Sequence, residues 1–206
     1  KLYTTLKRYD EALALAQQII DITPNSVNAF LAYTRRGQIY REKKEYQQAV
    51  SEYRAALKID SQNLWLWTEI GLLSYHYLKN YPSAKDSFLQ ALKLSPNNAD
   101  INSYLSLIEA ETKNWDDAIV YLTRAIQNDN NNAQYYVRLG YLYSRKNERK
   151  KVAETLAQAA KLDPNNPEIF YFLGLAYEDL ANFPLAQTAF ARAVTLKPDY
   201  AEPNYH

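Results

Sequence analysis

The chain has no cysteine. Disulfides and thiolate metal sites are therefore excluded, though this absence does not identify a compartment. Excess charge of either sign is missing too: 24 Lys+Arg stand against 23 Asp+Glu in 206 residues. A general polyanion binder needs clustered excess positive charge, so nucleic acid is not an expected partner, although a local patch stays open. Long apolar runs are also lacking. The longest, "IFYFLGLAY" from Ile169 to Tyr177, is far short of the roughly 20 residues that cross a bilayer, so no membrane insertion is expected. No signal peptide is visible, and a soluble chain in the cytoplasm is the default expectation. Methionine is absent even from the first position, as in a fragment of something longer.

Glycine is the most informative scarcity. There are only four: Gly37, Gly71, Gly140 and Gly174. The first two stand 34 residues apart, as do the last two; the middle gap is 69, and Ser106 fills the missing place. A glycine inside a helix costs about 1 kcal/mol relative to alanine. Here each one marks the same place in a repeating unit.

Aligning the units on this small residue brings the rest into register. Around Gly174 stand Phe170, Leu173 and Tyr177, then Ala186, Phe190, Ala193 and Pro198. Around Gly140 stand Tyr136, Leu139 and Tyr143, then Val152, Leu156, Ala159 and Pro164. Ser106, Gly71 and Gly37 head comparable sets, with Ala118-Leu122-Ala125, Ala84-Phe88-Ala91 and Ala49-Tyr53-Ala56 in the second half. Spacings of three and four are one face of an α-helix. Each unit therefore reads as two helices of about 14 residues and a short turn. The turn is expected to carry Tyr9, Tyr46, Tyr81, Trp115 or Phe183. Pro82 and Pro184 fit the start of the second helix, where a missing N–H matters little. Asn-rich links such as "SPNNAD" and "DPNNPE" supply N-caps. The small residue is expected to let the second helix approach closely, with Ala49, Ala84, Ala118 and Ala186 facing it.

The pattern Phe170-x2-Leu173-Gly174-x2-Tyr177, then Ala186-x3-Phe190, then Pro198 resembles the tetratricopeptide repeat. The resemblance covers essentially the whole chain. It implies an all-α fold, an α-solenoid of stacked antiparallel helix pairs forming a right-handed superhelix. Its concave face would be lined by the first helix of each pair. The chain then reads as a single array, 1–206: a partial repeat at 1–26, full repeats at 27–63, 64–98, 99–132, 133–166 and 167–200, and the start of another at 201–206. There are departures. Three extra residues precede the Gly37 unit, leaving the register of its first helix open. The Gly71 unit has one extra residue before its turn. Ser61 and Asn130 replace the closing proline. Arg149 and Val152 replace the aromatic and alanine of the Gly140 unit.

Counting by offset from the small residue lists the inner face. It includes Arg35 and Gln38; Trp65, Glu69, Leu72, Tyr75 and His76; Tyr104 and Leu107; Arg138, Tyr141 and Arg145; and Tyr171, Phe172 and Leu175. Packing positions already account for the core, so these form a groove more aromatic than solubility needs. Such patches mark partner sites. The groove is expected to take an extended peptide or amphipathic helix of a protein. The alternative is that neighbouring coils cover these rings, or that they pack on each other. Two known modes of the family do not fit. The carboxylate clamp of the chaperone-tail class finds only Arg138 in its slots. The asparagine ladder of the glycosyltransferase-associated class meets Arg35, Glu69, Tyr104, Arg138 and Phe172.

Other features carry less. The basic run "SRKNERKK" at 144–151 reads as a solvated turn. His76 stands at helical spacing from Glu69, and His206 is at the chain end; neither has a second ligand in sight. No phosphate-cradling loop and no nucleophile–base pair can be argued, so neither catalysis nor a cofactor is expected. Three readings stay open: an adaptor binding a protein segment, a recruiting arm of a larger enzyme, and a spacer that self-associates end to end.

Overall fold

The computed structural model describes residues 2–198, which contain eleven helices. Residues 201–206, read above as the start of a further repeat, and His206 lie outside the described residues. The chain divides into two compact units, one ending at Pro96 and one beginning at Asn97. The first holds α1 (Leu2–Ile22), α2 (Val27–Glu42), α3 (Tyr46–Ile59), α4 (Leu64–His76) and α5 (Tyr81–Leu94). The second holds α6 (Ala99–Glu111), α7 (Trp115–Asn128), α8 (Ala133–Arg145), α9 (Arg149–Leu162), α10 (Pro167–Asp179) and α11 (Phe183–Leu196). Among the described residues there is no strand; the architecture is helix hairpins stacked on their neighbours, the α-solenoid class.

The asparagines start the helices. Asn63, Asn98, Asn132 and Asn166 each accept a backbone N–H of the first turn, from Leu66, Ile101, Gln134 and Glu168. Ser26 does the same for Ala29. Each such cap is worth about 1 kcal/mol. Pro82, Pro167 and Pro184 sit in the first two positions of their helices. The three extra residues of the second unit become helix: α2 is 16 residues long, against 13 for α4, α6, α8 and α10.

The hairpin turns invert the common use of glycine. Lys44, Lys113, Asn147 and Ala181 adopt left-handed backbone with φ of 62°, 62°, 58° and 56°. After each, the next N–H reaches back five residues: Glu45 to Tyr40, Asn114 to Glu109, Glu148 to Tyr143, Asn182 to Tyr177, at 2.8–2.9 Å. This is the Schellman closure, usually built on glycine. The extra residue of the Gly71 unit is absorbed here. Lys79 is left-handed, at φ 50°, and the closure runs from Asn80 to Ser74.

All four glycines lie inside first helices, and none has positive φ. What they admit is a ring. A methyl on Gly71 would lie 2.7 Å from Phe88 Cε1, and one on Gly174 would lie 2.5 Å from Phe190 Cε1. On Gly37 it would overlap Tyr53. The group facing each small residue is thus the aromatic residue one turn after the expected alanine. In the Gly140 unit the opposing group is Leu156, whose Cγ would be 3.2 Å away. The Ser106 unit likewise carries a leucine, Leu122, at the ring position.

Two expectations are corrected. Tyr46, Tyr81, Trp115 and Phe183 are not turn residues but the first residues of α3, α5, α7 and α11. Tyr9 lies inside the continuous helix α1.

The core follows from the second helices. In the first unit Ala49, Val50, Tyr53, Ala56 and Leu57 pack with Leu66, Ile70 and Leu73. In the second, Ala118, Leu122 and Ala125 pack with Tyr135, Leu139 and Leu142, and a further cluster joins α9 to α10 and α11. At three links between helix pairs the carbonyl six residues before the ring is hydrogen-bonded, whether or not a proline stands there. Ser61 offers its carbonyl to Trp67 Nε1 at 2.9 Å, and Asn130 to the Tyr136 hydroxyl at 3.2 Å. Phe170 has no donor, and Arg192 serves the Pro164 carbonyl instead at 3.1 Å while lying over the Phe170 ring.

Candidate functional site

The first helices bury one stripe against their partners and leave another outward. None of the fifteen inner-face residues named above is fully buried. In the first unit Trp65 is 42% exposed. Its ring lies edge-on to Tyr53, at 5.6 Å between centroids. Leu72 and Tyr75 are half-buried and His76 is exposed. Tyr75 meets the His76 ring at 4.9 Å and the Tyr81 ring at 5.8 Å, with the Lys79 ammonium over its face. Glu69 is paired with Arg41 of the preceding first helix at 2.7 Å. Arg35 is exposed and donates to half-buried Gln38 at 3.2 Å.

Tyr53, near Arg41 and Glu69, has no accessible surface, and its hydroxyl has no hydrogen-bond partner. Burial, the dominant cause, pushes its pKa up to about 12, with Arg41 opposing and Glu69 and Glu42 adding.

In the second unit the outward stripe borders two depressions. One, of about 380 Å³, lies between α6, α7 and α8. Leu107, Ala110 and Leu142 give it an apolar floor, and Trp115 a wall. Lys113, Arg138 and Arg145 bring three positive charges to it, and Glu111 one negative. Arg138 donates from Nη1 to the buried Ser103 hydroxyl at 2.7 Å, which fixes the guanidinium. Arg145 lies over the Trp115 ring, 5.3 Å from its centroid, an arrangement that holds a cation without neutralising it.

The other depression, of about 440 Å³, lies between α8, α9 and α10. Val137, Val152, Leu156, Phe172 and Leu175 make it apolar, and Asp179 is its one charged lining residue. Tyr141, 55% exposed, lines both depressions and forms the ridge between them. Phe172 is 44% exposed. Tyr171 is half-buried between Phe172 and Phe190, at 5.9 and 5.8 Å. Tyr104 is half-buried on α6, outside both linings.

The structure thus joins Leu107, Arg138, Tyr141, Arg145, Phe172 and Leu175 around two adjoining hollows. Counting offsets missed the lining contributed by second helices, Trp115, Val152 and Leu156. A signal was present: Val152 stands where other repeats have alanine, and Leu156 where the other glycine-bearing repeats have an aromatic ring. Ser103, next to Tyr104 on α6, is buried and bonded to Arg138. Within the basic run 144–151 two lysines are paired with acids. Lys146 meets Asp116 and Glu148, and Lys151 meets Glu148 at 2.5 Å. Among the described residues no group of three or more histidines, aspartates and glutamates is gathered as a metal site. No helix among them is long and apolar enough to cross a membrane.

Family models described as TPR repeat and tetratricopeptide repeat match residues 37–75, 73–133, 109–169 and 167–200. Cilia- and flagella-associated protein 70 of Homo sapiens is 30% identical over 107 residues, which is 52% of this chain and 9% of that protein. A TPR repeat-containing protein of Methanocaldococcus jannaschii is 26% identical over 149 residues, 68% of this chain and 26% of that protein. The match thus spans a small part of either relative. Among solved structures, MamA superposes with a TM-score of 0.73 at 24% identity, over 80% of this chain and 96% of its own. YrrB, described as a TPR protein with an unusual peptide-binding site, superposes with a TM-score of 0.72 at 21% identity, over 90% of this chain and 93% of its own. At such identities these two likenesses concern the fold.

Proposed function

The chain belongs to the tetratricopeptide repeat family, and from that premise we propose that it is a non-catalytic scaffold holding a segment of a partner protein against its first-helix faces. One observation carries this reading: Trp65, Tyr141 and Phe172 stay substantially exposed on first helices whose opposite stripe already fills the core. Exposed aromatic side chains of this kind are the anchors of protein interfaces. The peptide-binding site of YrrB, a protein of the same fold, supports the reading. Capture of partners from lysate tests it, repeated with Tyr104→Glu and Tyr141→Glu combined. Capture should be lost while far-ultraviolet circular dichroism is unchanged. Undiminished capture would count against the proposal.

Two further readings rest on specific observations. The match covers 9% and 26% of the two relatives, which favours a recruiting arm within a longer protein, and the full reading frame decides it. On α11, Phe183 and Val194 are exposed and border one hollow, which favours self-association through that helix. Light scattering over a concentration series decides that one, and a monomer throughout would exclude it.

A further inference from the structure

Resting on the scaffold reading, we propose that the two adjoining depressions of the second unit form one bipartite site for an internal segment of a partner protein: a large aromatic side chain enters between α8, α9 and α10, and an aspartate or glutamate side chain is held between α6 and α8.

The first pocket borders the one glycine of the four that no ring covers. Tyr53, Phe88 and Phe190 place rings over the small residue of their repeats. Leu156 holds the same slot above Gly140, and both border the 440 Å³ hollow. A ring supplied by the partner would occupy space that the protein's own ring occupies elsewhere. The walls suit it: Phe172 and Tyr141 offer ring faces and edges, which favour stacked or edge-on partners. Asp179 at the rim disfavours an acid there.

The second pocket has the opposite character. Lys113, Arg138 and Arg145 outnumber Glu111, so the local balance favours an anion. Arg138 is oriented by its single bond to Ser103, and a guanidinium has five N–H donors. Arg145 is steadied by Trp115. The hollows flank α8, and a helix with its side chains is roughly 10 Å across. An extended chain advances roughly 3.3 Å per residue. The ring and the carboxylate should therefore stand about three residues apart, in either order.

The test is an array of synthetic peptides with blocked termini. Each carries Phe or Ser at one position and Glu, Ser or Lys at another, at varied spacing, with binding read by fluorescence anisotropy. Phe–Glu peptides at a spacing of about three residues should bind roughly 10-fold tighter than their Ser or Lys counterparts. Leu156→Phe should erase the preference for Phe and keep that for Glu. Gly140 makes the ring tolerable there, as Gly71 does for Phe88, and circular dichroism checks the fold. The exposed Arg145→Glu should erase or reverse the preference for Glu and keep that for Phe. The proposal is overturned if no peptide exceeds the Ser control, if Lys is preferred, or if neither substitution alters selection. Binding abolished by Trp65→Ala but indifferent to both substitutions would refute this site and leave the scaffold reading standing.

Discussion

Replacing Gly71 by alanine should destabilise the protein even though helix propensity predicts the reverse. The intrinsic gain is about 1 kcal/mol. Against it stands the added methyl, 2.7 Å from Phe88 Cε1 and 2.8 Å from Cδ1 and Cζ. Carbon atoms prefer roughly 3.5–4.0 Å, so close to an ångström must be found. Phe88 has no accessible surface, and its ring has no way out except by strain or by pushing α4 from α5. Such overpacking costs about 1–3 kcal/mol. The net expected loss is about 1 kcal/mol, a fall in Tm of roughly 2–4 °C for a chain of this size. Gly140→Ala is the control. There the methyl meets Leu156 Cγ at 3.2 Å and Thr155 Oγ1 at 3.3 Å. Leu156 borders an open hollow, so it can yield by a few tenths of an ångström, and the propensity gain should win by about 0.5 kcal/mol. Chemical denaturation followed by circular dichroism reads both. Combining Gly71→Ala with Phe88→Leu should cost less than the sum of the single changes. If Gly71→Ala stabilises as much as Gly140→Ala, the ring-over-glycine account is wrong.

Three other outcomes are expected. Ala181→Gly relieves a left-handed residue with φ of 56° and should raise stability by about 1 kcal/mol, measured by denaturant midpoint; no change would show that the Schellman turn is unstrained. Tyr53→Phe removes a buried hydroxyl without a partner and should be neutral or stabilising by about 1 kcal/mol; a clear loss would reveal a hydrogen bond to that hydroxyl. Burial foremost, aided by the hydrogen bond to Asp100, raises the Tyr135 pKa to about 12. Because the folded value lies above the ordinary value of 10.0, its contribution is intact below that pH and is lost as pH rises toward 12. Stability against pH should fall less steeply there in Tyr135→Phe, and an identical slope would contradict the assignment.

The hairpin plan was legible because it depends on local rules that the chain repeats. Asn63, Asn98, Asn132 and Asn166 cap helices by reaching their own first turns. The exposure of Trp65, Tyr141 and Phe172 followed from angular position on a helix. What faces the glycines was less legible. A helical side chain leans toward its own N-terminus, so Phe88 rather than Ala84 covers Gly71. The link from Arg41 to Glu69 and that from Arg138 to Ser103 join different repeats, and long side chains choose among many rotamers only when the neighbour is in place.

By itself, the sequence determined the period, the helix boundaries near their caps and the small residue at each crossing. These depend on backbone hydrogen bonding and helical periodicity, which act within a few residues. Tertiary packing alone decided that Phe88 and Phe190 cover Gly71 and Gly174, that Arg138 reaches Ser103, and that a hollow lies beside Gly140. Such features depend on which side chain occupies a given volume, and that volume exists only once neighbouring helices have closed around it.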